Sequence, residues 1–297
     1  MSKKGHILST TEFDKGMLLS LFAEANELAR LGTTKDCEGK LMATLFFEPS
    51  TRTRFSFEAA MLKLGGSVLS NADMMTNSSV KKRETLYDTG KVVSQMVDLI
   101  VMRHPEALAL HELAEGSEVP VLNAGNGPED HPTQALLDGY TIWKEFGELD
   151  GLTVGLIGDL KHSRVLHSNV QLLKNFGVKF VLVSPKELAL PEEYKEGLDF
   201  VESEDLASVV GEMDVLNVNR IQEERFGSAE EAEKFRGKFV VDTQMLAKAK
   251  EKAIVMCPLP RVEELPREID DDPRIRFFDQ VKNGVFARMA LIKRVLS

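Results

Sequence analysis

The run Phe46-Phe47-Glu48-Pro49-Ser50-Thr51-Arg52-Thr53-Arg54-Phe55 packs three hydroxyls and two guanidiniums into the five positions from Ser50 to Arg54. Hydroxyls donate hydrogen bonds, and a guanidinium grips a phosphate or carboxylate through paired, coplanar N–H groups. Two cations in a first helical turn oppose the helix macrodipole, which favours negative charge there. A bound anion resolves that conflict, because the free N–H groups of a helix start already attract one. The plainer alternative is a helix cap with solvated arginines. The residue types favour an oxyanion or phosphate cradle. Other groups that could do chemistry follow apolar runs. Arg103 comes directly after Asp98–Met102, with a local ion pair to Glu106 as its alternative. In His131-Pro132-Thr133-Gln134 the proline suits a first helical position, which puts His131 at the cap. Gln134 is then one turn on, and the two can face one ligand. Arg164 opens a helical pattern, again a cation where the dipole disfavours it. Arg220 and Gln222 follow the run Met213–Val218, where an exposed helix start with balanced charge is the alternative.

These groups need strands that end where helices begin. Lys40–Phe47 is apolar and strand-like, and Phe55, Ala59 and Leu62 then repeat at helical spacing up to Gly65-Gly66. Ser67–Ser70, Asp98–Met102, Pro120–Ala124, Leu152–Gly158, Val178–Val183, Met213–Val218 and Ala253–Cys257 are further expected strands. Glu84–Met96, the segment from Pro132 to Phe146, and the C-terminal stretch to Val295 are expected helices. Ser9 with Glu12 forms a capping box heading a helix with Leu18, Leu21, Phe22, Ala25 and Leu28 on one side. Asn71–Lys82 is small, polar and without period, a length of loop that is more often functional than idle. On charge alone its Lys81-Lys82-Arg83 cluster reads as a solvated face. The prolines around Leu259 in Pro258-Leu259-Pro260 stiffen the backbone, so carbonyls there could receive an amine or amide. Strands alternating with helices predict an α/β fold with parallel sheets.

Composition bounds the class. The 297 residues suffice for two domains, and 43% hydrophobic with 28% charged residues is ordinary for a soluble globular chain. No apolar run approaches the ~20 residues of a membrane span, and no secretory signal is expected behind Met1–His6. A net charge of −10 argues against general nucleic-acid binding, so an anion site must be a local cluster of cations. The two cysteines, Cys37 and Cys257, make neither a disulfide framework nor a metal spacing, and the expected compartment is a reducing cytoplasm. Gly155 and Gly158 do not make the dinucleotide G-x-G-x-x-G pattern. No nucleotide cofactor, no metal and no covalent nucleophile is expected.

Ser-Thr-Arg-Thr-Arg after Phe-Glu-Pro resembles the carbamoyl phosphate motif of the aspartate/ornithine carbamoyltransferase family. The likeness covers nearly the whole chain. His-Pro-Thr-Gln, Gly-Asp-x-x-x-x-Arg ending at Arg164, Arg-x-Gln-x-Glu-Arg from Arg220, and Pro-Leu-Pro resemble its aspartate branch. The resemblance implies two similar domains, each a parallel sheet flanked by helices. These are 1–131 plus 281–297 for carbamoyl phosphate and 132–280 for aspartate, with the site between them, the helix from Pro132 bridging them and the C-terminal helix returning to the first.

It implies carbamoyl transfer from carbamoyl phosphate to L-aspartate, giving N-carbamoyl-L-aspartate and phosphate, an early step of pyrimidine synthesis. Ser50, Thr51, Arg52 and Thr53 would hold the phosphate, and Thr53, Arg103 and a neutral His131 would donate to the carbonyl oxygen. Gln134, with Leu259 and Pro260, would fix the carbamoyl group. Arg164, Arg220, Gln222 and Lys82 would hold aspartate. Ser78 and Lys82 would come from a neighbouring subunit, so the implied assembly is a homotrimer with shared sites, open to regulatory chains. Val165 stands where some members carry threonine, so no hydroxyl contact is carried over, and Cys257 stands where many have histidine. The nearest rival, ornithine carbamoyltransferase, must bind a cationic side chain that Arg164 and Arg220 would repel. A silent homologue would be expected to lose cradle residues, and none is missing. A nucleotide-binding oxidoreductase is disfavoured by the absent glycine fingerprint.

Overall fold

The computed structural model of the chain describes residues 5–79 and 83–297. Lys82 lies outside the described residues. The chain forms two compact units, Met1–Tyr140 with Val281–Ser297 and Thr141–Gln280.

The first unit is built on four parallel strands: β1 (Leu41–Phe46), β2 (Ser67–Asn71), β3 (Leu99–His104) and β4 (Val121–Asn126), in the order β2-β1-β3-β4. The central strands are nearly continuous apolar runs, as sheets covered on both faces require. Its helices are α1 (Lys15–Leu31), α2 (Thr51–Lys63), α3 (Leu86–Val93), α4 (Ala109–Gly116) and the first part of α5 (Pro132–Phe146). Ala43, Leu45, Ile100, Met102, Leu110 and Leu113 are members of one buried cluster that joins sheet to helix.

The second unit carries β5 (Thr153–Gly158), β6 (Lys179–Val183), β7 (Asp199–Ser203), β8 (Val215–Asn219) and β9 (Ile254–Met256), all parallel, in the order β7-β6-β5-β8-β9. Its helices are α6 (Arg164–Leu173) and the short α7 (Glu192–Lys195), α8 (Leu206–Val209), α9 (Ala229–Glu233) and α10 (Thr243–Leu246). The last helix, α11 (Phe277–Leu296), starts in this unit and ends in the first. Among the described residues no helix is long and apolar enough to cross a membrane.

The α/β class with parallel sheets is as the alternation predicts. The capping box differs. Ser9 and Glu12 make both reciprocal bonds, but these close a single 3-10 turn over Thr10–Glu12. Phe13 then turns extended and buries its ring, and α1 begins afresh at Asp14, whose carboxylate accepts from Met17 N–H at 2.7 Å. Several elements escape the sequence reading: the short helices α7 to α10, helix α4, which is only two turns long, and β7, an edge strand, Asp199-Phe200-Val201-Glu202-Ser203, with little buried surface. Polar residues on an edge strand discourage further pairing and also erase the apolar signal.

Both sheets change direction in the same way. From β1 the chain adds β2 on one side, then β3 and β4 on the other; from β5 it adds β6 and β7, then β8 and β9. The loops leaving β1 and β3, and those leaving β5 and β8, therefore diverge at a topological switch point. Open parallel sheets bind ligands at such points, beyond the carboxyl ends of the strands.

Candidate active site

In the first unit the switch point holds the arginine–hydroxyl run. Strand β1 ends at Phe46, and Ser50 caps α2 with extended backbone, φ −158° and ψ 92°. Its side chain makes no capping hydrogen bond to the helix, which leaves the first-turn N–H groups directed at whatever lies beyond. The Ser50 hydroxyl instead accepts from Arg103 Nη1 at 3.2 Å. Arg103 sits near the end of β3, and the β3–β4 register shifts between Met102 and His104. Such an irregularity re-aims the side chain it carries. Glu48 fixes the guanidinium further, Oε1 lying 2.6 Å from both Nε and Nη2. The Arg103 guanidinium, the Ser50 hydroxyl and the start of α2 thus meet beyond the end of β1.

The two arginines of the run separate. Arg52 and Thr51 are exposed and Thr53 is buried at the helix start. Arg54 turns to the edge of the sheet, donating to Ser70 Oγ at 2.9 Å and lying 3.5 Å from Glu58, whose carboxylate also accepts from Ser70 and Thr44. Arg54 is a brace between α2 and β2.

His131 is buried and immediately precedes α5, with its carbonyl accepting from Gln134 N–H at 2.9 Å. Gln134 donates its side-chain nitrogen to Asp138 Oδ1 at 2.9 Å, which orients the amide. The preceding residue is also anchored. Asp130 accepts from Thr10 N–H at 2.7 Å, and from the hydroxyls of Thr10 and Ser9. The 3-10 turn at the start of the chain therefore holds the segment that carries His131. Ser78, half-buried, donates its hydroxyl to the Met74 carbonyl.

In the second unit the switch point lies between β5 and β8. Gly158 ends β5 at φ +111°, and a Cβ there would come 2.0 Å from the Asn219 carbonyl oxygen. Only glycine allows the turn to pass so close to β8. Asp159, fully buried, accepts from His162 N–H at 3.1 Å and Gln222 N–H at 3.2 Å, and pairs with the His162 ring. It ties the turn after β5 to the segment after β8. Arg164 opens α6 behind Ser163, whose hydroxyl donates to Asn219 Oδ1 at 3.0 Å. Arg220, directly after β8, is half-buried and paired in a two-point contact with Glu224. Glu224 holds the Arg220 guanidinium more firmly protonated than usual, and Arg220 in turn lowers the Glu224 carboxyl. Leu259 adopts φ +53°, rare for a side chain of its size. Its N–H lies 3.4 Å from Cys257 Sγ, and Cys257 N–H donates to Gln280 at 2.8 Å. Cys257 is buried, as a core residue would be.

The structure thus brings together Ser50, Arg103 and the start of α2 in one unit, and the segments carrying Arg164, Arg220 and Gln222 in the other. Glu48, Asp138, Asp130 and Asp159, which orient these groups, escaped the sequence reading. Glu48, Asp130 and Asp159 are acids whose partners are remote in sequence or lie on a turn, with no local period to mark them, whereas Asp138 stands four residues beyond Gln134 on α5, a helical spacing that could have signalled it.

Arginines and hydroxyls at the switch points of two parallel sheets define an α/β protein that handles anionic ligands. The family model for the aspartate/ornithine carbamoyltransferase carbamoyl-P binding domain matches residues 5–144, and that for the Asp/Orn binding domain matches residues 150–295. The chain belongs to the aspartate/ornithine carbamoyltransferase family. It is 46% identical over 295 residues to the aspartate carbamoyltransferase catalytic subunit of Thermococcus gammatolerans, covering 96% of each. It is 48% identical over 269 residues to that of Clostridium novyi, covering 89% of this chain and 88% of the other. The crystal structure of aspartate transcarbamoylase from Trypanosoma cruzi in complex with carbamoyl phosphate and aspartate superposes with a TM-score of 0.93 at 40% identity, covering 100% of this chain and 98% of that one.

Proposed function

We propose that this chain is an aspartate carbamoyltransferase, moving the carbamoyl group of carbamoyl phosphate to the amine of L-aspartate and releasing phosphate, an early step of pyrimidine synthesis. The observation that carries the reading is the uncapped start of α2 with Arg103 pinned beside it by Ser50 and Glu48. Ser50, Thr51, Arg52 and Thr53 take the phosphate, and Arg52 neutralises the charge that builds on it as it leaves. Thr53, Arg103 and His131 donate to the carbonyl oxygen as it becomes an oxyanion. Gln134, with the Leu259 and Pro260 segment, fixes the carbamoyl amide. Arg164, Arg220 and Gln222 hold the aspartate carboxylates, and Lys82 adds a further cation.

When aspartate arrives, its carboxylate takes the place of Glu224 on Arg220. The amine attacks the carbamoyl carbon, the C–O bond to phosphate breaks, and the amine proton leaves with the phosphate or solvent. The unit of residues 1–140 with 281–297 serves as the carbamoyl phosphate half and that of 141–280 as the aspartate half. The working assembly is a cytoplasmic homotrimer in which Ser78 and Lys82 serve a neighbouring subunit, and regulatory chains can associate with it.

The test is product formation from carbamoyl phosphate with aspartate and, separately, with ornithine. Turnover with aspartate alone is expected, since a cationic side chain would face Arg164 and Arg220. Turnover with ornithine would overturn the roles given to both arginines.

A further inference from the structure

Arg288 lies on α11 inside the first unit and is only 2% exposed. Burying a guanidinium is strongly unfavourable unless its N–H groups find acceptors. Here Nη1 donates to Ser56 Oγ at 2.9 Å and weakly to the Gly284 carbonyl at 3.4 Å, and Nη2 donates to Thr133 Oγ1 at 3.3 Å. The guanidinium carbon is 4.9 Å from the centroid of the Phe57 ring. Nε finds no hydrogen-bond partner among the described residues. Burial draws the pKa of Arg288 down to about 10, against the pull of Asp138, so the group is still charged at neutral pH. Asp138 is the same acid that orients Gln134. An apolar side chain could fill this space without the desolvation cost, so the polar arrangement calls for a function.

The acceptors suggest one. Ser56 lies one turn along α2 from Thr53, and Thr133 sits between His131 and Gln134 at the start of α5. The guanidinium therefore touches both helices within two turns of the ends that carry the site. Gly284 makes room for it. A Cβ there would lie 2.9 Å from Arg288 Nη1 and 3.0 Å from Leu137 Cδ2.

We propose that Arg288 is a positioning residue. By donating one amino group to Ser56 on α2 and the other to Thr133 on α5, it sets the spacing of the two helix starts, so that a ligand seated on Ser50–Thr53 meets His131 and Gln134. The planar fork of arginine suits this task, because its two amino groups keep a fixed separation that a lysine cannot reproduce. A misplacement of ~1 Å at a reacting centre can cost ~10²-fold in rate. The inference rests on the proposed roles of the cradle and His131.

Ser56→Ala and Thr133→Val each remove one acceptor and leave Arg288 in place, while Arg288→Lys keeps the charge and loses the fork. Two readouts are needed. The first requires no turnover: the His131 ring signals in 1H–15N spectra during titration with inorganic phosphate and with phosphonoacetamide, a stable mimic of carbamoyl phosphate. In the unaltered protein phosphonoacetamide should move those signals. In the three variants inorganic phosphate should still bind within about threefold of its original affinity, while the His131 response to phosphonoacetamide weakens or broadens. The second is kcat for carbamoylation of aspartate, expected to fall about ten- to a hundredfold with KM for aspartate little changed. A lowered unfolding temperature with kcat and the His131 response intact would reduce Arg288 to a structural residue and overturn the proposal. So would an Arg288→Lys variant that matches the unaltered protein in both readouts. An unaltered protein that neither turns over aspartate nor responds to phosphonoacetamide would instead bring down the catalytic reading itself, and this inference with it.

Discussion

Arg52, Arg54 and Arg103 carry the same charge but meet different surroundings. Arg54 is committed to Ser70 and Glu58, so its loss should weaken the α2–β2 contact more than ligand binding. Arg103 is held by Glu48 and Ser50 beside the start of α2. Arg103→Lys keeps the charge and loses the fork. We expect kcat/KM for carbamoyl phosphate to fall about ten- to a hundredfold, corresponding to the ~1.5–3 kcal/mol of a hydrogen bond to a charged group. Steady-state kinetics at saturating aspartate would show it, and an unchanged value would remove Arg103 from the site. Removing one donor to a developing oxyanion typically costs ~10²–10³ in rate. His131→Ala should therefore lower kcat by about that factor, and a loss below about tenfold would exclude His131 from that role.

Elements set where these residues can stand. Helices α3 and α4 meet through two glycines. A Cβ on Gly116 would lie 2.1 Å from the Tyr87 carbonyl oxygen, and one on Gly90 would lie 2.3 Å from that of Leu113. Both obstacles are backbone and cannot swing aside. Gly116→Ala should destabilise the first unit by about 2 kcal/mol or more, at the upper end for overpacking, and a urea midpoint unchanged from the parent would contradict this close crossing. On α6, His167 is buried, stacked on Tyr194 at 4.1 Å, with Nε2 2.8 Å from the Leu160 carbonyl. That carbonyl can only accept, so Nε2 carries the proton. Burial lowers the pKa of His167, and of His104 in the first unit. A folded pKa below the unfolded one means that the unfolded chain binds more protons at intermediate pH. This stabilisation is full above the ordinary histidine value of about 6.5 and is lost as pH falls through the folded pKa. The denaturation midpoint should drop on acidification from about pH 7.5 to 5.5, and less steeply in His167→Gln. Equal slopes would show that His167 does not titrate on unfolding.

At the scale of the molecule, the proposed sharing of sites gives a prediction that no single chain can satisfy. An Arg52→Ala chain and a Lys82→Ala chain should each be nearly inactive. Mixed after dissociation and reassembled, they should recover about a quarter of the activity, because that fraction of sites pairs an intact Arg52 with an intact Lys82 from a neighbour in a cyclic oligomer. No recovery would mean that each chain completes its own site. The net charge of −10 repels anionic substrates at long range, so binding depends on local cations at the two switch points.

The sequence by itself determined the α/β class, most of the strands, and the placing of Arg103, His131, Arg164 and Arg220 at or beside strand or helix ends. Apolar runs and capping residues act over a few neighbours, so they can be read locally. It did not reveal that Arg54 braces α2 against β2, or that Glu48 and Ser50 pin Arg103, because those contacts depend on Ser70, Glu48 and Ser50 arriving from other segments. Nor did it mark Asp159 as the tie between the β5 and β8 loops, or Arg288 as the buried link between α2 and α5. The capping box at Ser9 was legible, but the buried ring of Phe13 ended its turn and moved the helix start to Asp14. Strand order decided the rest. Two strands become neighbours only when the whole sheet assembles, and the switch points where the arginines gather exist only in that arrangement.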